Sequence, residues 1–381
     1  MNLLLTDDDR DFQREVREFL AEKLTDELRL EGARCSGIYC EYDVANAWHR
    51  ILADKGWSVP NWPMEYGGCD WSPLQNYIFE VELAQAGAPP VSPNSTHMVG
   101  PVIIAFGTDE QKAKYLPAIR SGDDWWAQGY SEPGAGSDLA SLKCAASRQG
   151  DEYVVNGSKI WTTHAHFSNR IFCLVRTRTE GKPQAGISFL LIDLDTPGIS
   201  IRPIISISGE HELNEVFFSD VRVPVSSRIG EENDGWTVAK YLLQHERSHT
   251  WSPLLRARLD RLKHRAQHAC AEKFSRCEID LTALEMSEMR ALQANSESGP
   301  LSTATSSTMK VLGTELRQKI SELALEIDGH PPVSTLEPDL LSALGLTDSQ
   351  VATRTYLNDR AASIYAGANE VQRNIIWNSI R

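Results

Sequence analysis

Helical spacing of apolar positions marks both ends of the chain, and short apolar runs mark its middle. Thr6 to Leu24 predicts a helix with Phe12, Val16, Phe19 and Leu20 on one face. Thr6 and Asp9 have the spacing of a capping box, as do Thr108 and Gln111. Helical patterns recur from Val44 to Lys55, Leu74 to Ala86 and Thr108 to Ile119; NWPMEYGGCDW, rich in Pro, Gly and aromatics, reads as loop. The pattern then changes. Tyr153-Val154-Val155, Arg170 to Arg176, Gly186 to Leu194, Ile199 to Pro203 and Asn214 to Val223 are apolar, β-branched and bounded by turns such as Thr196-Pro197-Gly198, which predicts strands. Asn156-Gly157 supplies the tight turn of a hairpin. Helical spacing returns from Gly235 to Ser252, with Asp234 as N-cap and Pro253 ending or kinking the helix. Further helices are expected from Leu254 to Phe274, Leu281 to Ala294, Thr308 to Ile327 and Ser349 to Ser363, with a last one over the C-terminus and a polar connection from Ser296 to Ser307. The expectation is an α+β chain: an N-terminal helical domain over 1–125, a β-domain over 126–230 and a C-terminal helical bundle over 231–381. No strand–GxGxxG–helix unit occurs, which argues against a dinucleotide-binding fold.

Charge and composition narrow the function. A net charge of -14 makes a nucleic-acid partner a poor fit. No apolar run is long enough to cross a bilayer, and the opening MNLLLTDDDRDF turns acidic at once, unlike a secretory or mitochondrial signal. A cytoplasmic location is expected. The seven cysteines, Cys35, Cys40, Cys69, Cys144, Cys173, Cys270 and Cys277, include no CxxC pair, so free thiols are expected and zinc is disfavoured. His164 and His166 stand two apart without a third ligand, which favours a role in a turn and sheet over a metal site.

Two stretches carry the candidate chemistry. AQGYSEPGAGSDLASL, Ala127 to Leu142, sets Gly134, Ala135 and Gly136 beside hydroxyls at Ser131 and Ser137. Small residues let a ligand lie against the backbone, and N–H groups in such a loop suit an anion. NGSKIWTTH, Asn156 to His164, adds a large flat ring at Trp161 and hydroxyls at Thr162 and Thr163. A planar heterocycle with a phosphate tail suits both; a Gly-rich turn before a β-domain is the plainer reading.

SEPGAGSD followed by NGSKIWTT resembles the acyl-CoA dehydrogenase family of flavoproteins. The resemblance extends to GWSVPNWPMEYGG (Gly56 to Gly68), FGTDEQKAKYLP (Phe106 to Pro117) and IYAGANEVQRNII (Ile364 to Ile376), so it spans nearly the whole chain in family order. It implies the same helical, β and helical-bundle architecture, with FAD as cofactor, an acyl-CoA as substrate and an electron-transfer flavoprotein as electron acceptor. It also implies site roles. Ser131 matches a hydroxyl at the pyrimidine end of the flavin ring, flanked by Gln128 and Tyr130. Gly136 and Ser137 lie toward the diphosphate and, for Ser137, the CoA pantetheine. Trp161 packs on one ring face, and Thr163 lies near N5.

The family takes an α-proton with a carboxylate while the β-hydrogen leaves as hydride. The base must sit in a dry pocket, where burial strengthens it, and the thioester oxygen needs hydrogen-bond donors. Many members carry the base in an IYEGT-like motif. Here that text is IYAGAN, and the position is Ala366. A second branch places Glu before Arg on the first helix after the β-domain; LLQHERSHTW supplies Glu246, with Arg247 beside it for substrate. The plain reading of that pair is a surface Glu-Arg. Homotetrameric relatives also lend an Arg with a Phe-Gly turn, and a Gln-bearing Gly-rich turn, to a neighbour's FAD. RLDRLKHRAQHACAEKF lacks the Phe-Gly, and EIDGHPPV (326–333) lacks the Gln and the Gly pair. The resemblance then points to a heteromer with a homologous partner subunit, α2β2, of the pimeloyl-CoA or steroid side-chain type. A flavin oxidase or monooxygenase on the same fold and a non-catalytic acyl-CoA-binding subunit are the alternative expectations.

Overall fold

Short polar side chains start the N-terminal helices. In the computed structural model, which describes residues 5–35, 37, 40–246, 250–266, 270–298, 303–329 and 348–381, Thr6 and Asp9 form the expected capping box on α1 (Asp7–Lys23). Thr108 and Gln111 do the same for α6 (Asp109–Ser121). Between them lie α2 (Asp26–Arg34), α3 (Tyr42–Lys55), α4 (Pro73–Ala86) and α5 (Gly100–Phe106). A π-helix over Asn94–Val99 leads into α5, with the Gly100 N–H donating to the Ser95 carbonyl. The sequence pattern gives neither α2, which buries no side chain, nor the π-helix.

The middle of the chain is one eight-stranded sheet in the order β6-β7-β3-β2-β4-β5-β8, with β1 (Trp126–Gly129) pairing parallel to β4. The strands are β2 (Ala145–Gln149), β3 (Glu152–Lys159), β4 (Arg170–Arg176), β5 (Ile187–Asp193), β6 (Ile199–Ile204), β7 (Leu213–Pro224) and β8 (Arg228–Ile229). β4 and β5 are buried on both faces, so period two splits their side chains between two cores. Phe172, Leu174, Phe189 and Leu191 face a core that also holds Val99, Val102, Ile103, Trp126 and Tyr130. Ile171, Cys173, Leu190 and Ile192 face the other.

Asn156-Gly157 is not a hairpin turn. β3 runs straight through it, and its pairing with β7 shifts register between Val155 and Gly157. The turn is one step earlier, at Gly150-Asp151, which joins β2 to β3 in the register Gln149 to Glu152. Gly157 has φ 142°, and a Cβ there would stand 2.7 Å from the Cys144 Cα. The glycine serves a bulge and a close backbone approach, the alternative use of Gly within a strand.

Helices resume with α7 (Gly235–Glu246), α8 (Ser252–Lys263), α9 (Ala271–Ser298), α10 (Thr303–Ile327), α11 (Asp348–Asp359) and α12 (Asn369–Ile380). The expected single helix from Gly235 to Ser252 is therefore two. Pro253 opens α8 instead of ending α7, because a proline in the first turn gives up no hydrogen bond. Glu288 of α9 caps that helix from outside, accepting the Trp251 N–H at 2.7 Å and the Ser252 N–H at 3.2 Å. The expected helix from Leu254 to Phe274 is not one helix: α8 ends at Lys263, and α9 starts at Ala271 and runs on through the expected gap before Leu281. The Ser/Thr-rich start of α10 is helical because Ser306 and Ser307 are buried, with Ser307 Oγ donating to Gln372 at 2.8 Å. Among the described residues, no helix is long and apolar enough to cross a membrane.

Gly157→Ala places a Cβ against Cys144 in a conformation reserved for glycine. It is expected to cost about 1–3 kcal/mol, read as a lower urea midpoint with an unchanged slope; an unchanged midpoint contradicts the bulge's role.

Candidate active site

The two chemistry-bearing stretches meet through a buried ion pair. Lys159, the last residue of β3, is 0% exposed. Its Nζ donates to Glu132 Oε1 at 2.7 Å and to the Tyr130 carbonyl at 3.2 Å. Glu132 also accepts the N–H groups of Lys143 at 2.6 Å and Cys144 at 2.9 Å. The carboxylate thus closes the loop that bears Gly134 and Gly136, and the ammonium fixes that loop to β3. The Ile160 N–H donates to the Ser131 carbonyl at 2.9 Å, which sets Ser131 beside the Trp161 segment. Neither Lys159 nor Glu132 is among the expected site residues. No local signal marks Lys159, which lies at the polar NGSK end of β3.

Within this frame the exposed groups are the expected ones. Gly134, Gly136 and Ser137 are exposed, and a Cβ on either glycine would meet nothing within 4 Å. Glu132 and Ala135 use their N–H groups on each other's carbonyls. Trp161 is 57% exposed and adopts φ 62°. A left-handed tryptophan costs about 1–2 kcal/mol, and an indole held out from the core has its faces open to a planar ligand. Ser131, Thr163 and Gln128 are half-buried. Tyr130 turns its ring into the core, 5.9 Å from Phe172, so it offers the site its backbone and not its hydroxyl. Thr162 Oγ1 is buried with no hydrogen-bond partner among the described residues. These features fit a flat heterocycle with an anionic tail: an open aromatic face, hydroxyls beside it and a small-residue loop with room above it.

The histidines stand behind this segment. Asn214 Nδ2 donates to the Thr162 carbonyl at 3.0 Å, which fixes its amide, and lies 3.0 Å from His166 Nδ1. His211 Nε2 reaches Asn214 Oδ1 at 2.8 Å, and the His166 and His211 rings stack at 3.9 Å. An Nδ1 that accepts from an amide belongs to a neutral imidazole. Burial, with neighbouring histidines adding to it, lowers His164 and His166 to about 4. Among the described residues there is no cluster of three or more His, Cys, Asp or Glu that could hold a metal ion.

Ala366 lies in a loop braced from below. It has φ 54° and is half-buried. Buried Lys310 donates to the Ala362 carbonyl at 3.2 Å and to Asn369 Oδ1 at 2.8 Å. Gln372 Nε2 donates to the Gly367 carbonyl at 3.2 Å. Glu246 is the last residue of α7, whose Val238, Ala239 and Leu242 enter the same core as Tyr130. Arg247 lies outside the described residues, as does the second half of EIDGHPPV, residues 330–333. Asp328, at its start, is ion-paired with Arg265.

A helical part, a β-sheet with an open Gly-rich loop and an exposed tryptophan, and a second helical part follow one another along the chain. Family models agree along the chain: "Acyl-CoA dehydrogenase, N-terminal domain" matches residues 6–123, "middle domain" 127–221 and "C-terminal domain" 233–380. The chain belongs to the acyl-CoA dehydrogenase family. It is 37% identical to acyl-CoA dehydrogenase IpdE1 of Mycobacterium tuberculosis over 97% of this chain and 96% of the relative. Among solved structures, one titled Tcur3481-Tcur3483 steroid ACAD superposes with a TM-score of 0.84 at 31% identity, covering 100% of this chain and 98% of that one. The ChsE4-ChsE5 complex from Mycobacterium tuberculosis gives 0.80 at 33% identity, over 99% and 97%.

Lys159→Met leaves the Glu132 carboxylate buried without its cation. A loss of about 3–5 kcal/mol in unfolding free energy is expected, and the Lys159→Met, Glu132→Leu pair should lose less than Lys159→Met alone. Additive losses in this double-mutant cycle contradict a direct pair.

Proposed function

We propose that the chain is an FAD-dependent acyl-CoA dehydrogenase that converts an acyl-CoA to its trans-2-enoyl-CoA, with Glu246 as general base. The observation that carries this reading is the solvent-facing, left-handed Trp161 clamped beside an open Gly-rich loop. Ser131, Thr163, Gln128 and the Tyr130 backbone would hold the ring. Gly136 and Ser137 would face the diphosphate and pantetheine. When bound, the flavin supplies the hydride acceptor.

The remaining chemistry belongs to side chains. An α-proton next to a thioester is weakly acidic, so a carboxylate must take it in a site that excludes water. Ala366 has only a methyl group. Glu246 is proposed for the task because it directly precedes Arg247 and ends the helix after the β-sheet. Arg247 would help hold the acyl thioester. Electrons are proposed to leave to an electron-transfer flavoprotein. The division near residues 125 and 230 is supported by strands that begin at Trp126 and end at Ile229.

A partner subunit of the same fold is part of the proposal. The relatives with paired names, one of them titled a steroid enzyme, support a heteromer acting on a bulky acyl-CoA such as a steroid side chain; a dicarboxylic or long linear acyl group is the other class to screen. Asp328 adds a second reason. Its carboxylate, already paired with Arg265, offers a neighbour's diphosphate no hydrogen-bond donor, so this region is poorly suited to the lent turn's task.

Glu246→Gln should keep FAD and lose turnover by about 10²–10⁴-fold, measured as flavin bleaching by acyl-CoA under anaerobic conditions; near-normal bleaching would sink the assignment. Expressed alone, the chain should carry little FAD, and co-expression with its partner should restore it. Stoichiometric FAD in the isolated chain contradicts the heteromer.

A further inference from the structure

The segment that carries Trp161 is strained at two residues. Trp161 (φ 62°) and His164 (φ 53°) are both left-handed without being glycine, and such backbone persists only where its surroundings over-determine it. Even and odd positions of the segment differ. The N–H groups of Ile160, Thr162 and His164 donate to the carbonyls of Ser131, Asn214 and Glu212, each at 2.9 Å. Thr162 and His164 are buried, whereas Trp161 is exposed and Thr163 half-buried. The even residues anchor the chain, and the odd ones are left for a ligand.

Asn214, fully buried near the start of β7, holds Thr162 twice. Its carbonyl takes the Thr162 N–H, and its Nδ2 donates to the Thr162 carbonyl at 3.0 Å. Turned by half a rotation, the amide would set its oxygen against that carbonyl, acceptor against acceptor. Two imidazoles oppose the turn. His211 Nε2 stands 2.8 Å from Asn214 Oδ1 and supplies the donor there, while His166 Nδ1 stands 3.0 Å from Nδ2 and supplies the acceptor. The two rings stack at 3.9 Å with planes 15° apart, so each steadies the other beside the amide.

We propose that Asn214, oriented by His166 and His211, is a positioning residue for the cofactor site. It fixes both sides of the Thr162 peptide, and so keeps Trp161 in its left-handed conformation with the indole held out and Thr163 beside it. Without that grip Thr162 can turn, Trp161 can return to an ordinary backbone conformation, and the ring face is lost. The grip stands on hydrogen bonds within the chain; its use toward the flavin rests on the function proposed above. The histidines that form no metal site thereby have a task, which is to set the sense of one buried amide.

Backbone hydrogen exchange of the full chain is measured first, because it needs no cofactor. Asn214→Asp keeps the shape and replaces the donor with a second acceptor, so residues 160–168 should exchange faster while β4 and β5 do not. His211→Phe, at an exposed position, keeps a stacked ring and loses only the donor to Oδ1; it should speed the same residues by less. Val223→Ala, a buried truncation elsewhere on β7, is the control for stability lost without the grip. FAD affinity of the chain co-expressed with its partner is read second. Asn214→Asp should bind FAD about tenfold more weakly, and Val223→Ala should not. Unchanged exchange at 160–168 in both Asn214→Asp and His211→Phe, or a rise that Val223→Ala matches, overturns the proposal. So does faster exchange with unaltered FAD affinity, where Trp161→Ala does weaken FAD binding. If Trp161→Ala also leaves FAD binding unaltered, the flavin reading itself has failed, and the cofactor role of Asn214 falls with it.

Discussion

An ammonium group with no access to water, that of Lys159, governs the geometry of the candidate site. Removing a charge from water costs several kcal/mol, and the cost is met only by a close counter-ion with the remaining lone pairs satisfied. Glu132 provides both, since its two oxygens also bind the Lys143 and Cys144 N–H groups. The pair therefore specifies one arrangement of loop and strand, because any other leaves a buried charge alone. With that arrangement fixed, the chain can leave glycines open and a tryptophan exposed without the loop folding back over them. A site for a large flat ligand has to be held apart, and here the holding is electrostatic and lies underneath.

Much of the fold is legible in the sequence because its signals are local. Phe12, Val16, Phe19 and Leu20 repeat at helical spacing and are buried together. The continuous apolar runs of β4 and β5 announce strands covered on both sides. What is not legible depends on distant partners. β2 reads AASRQ, with one buried side chain, and is a strand because β3 pairs with it. Asn156-Gly157 has turn chemistry, yet β7 and Cys144 decide its shape. Ser and Thr at the start of α10 look like loop until Gln372 is placed beside them. Trp161 and Ser131 stand out in the sequence because a large flat ring and a hydroxyl lie in or near a stretch of small residues that would let a ligand approach the backbone. Lys159 does not, since nothing local says that a lysine in NGSK faces inward.

The C-terminal loop makes a related point about chemistry. Lys310, Asn369 and Gln372 form a buried polar network under Ala366, which sits in a left-handed conformation. That is an expensive support for a methyl group. In the resemblance, this position carries the base of other members. The frame is thus independent of the group it presents, and the base proposed at the end of α7 would leave the loop unchanged.

The π-helix over Asn94–Val99 has a consequence of a different kind. It packs on β1 and on α7, and its i to i+5 turn holds one residue more than an α-turn of the same height. That surplus is a store of slack in the chain. Deleting one residue there would let the segment relax to α-helix while turning every earlier side chain by about 100°, so Asn94 would leave the place it now occupies. Relatives that differ in length by one residue at this point could share a backbone elsewhere and still present different side chains to α7. Small insertions and deletions, and not only substitutions, are then a route by which such a scaffold can alter what it recognises.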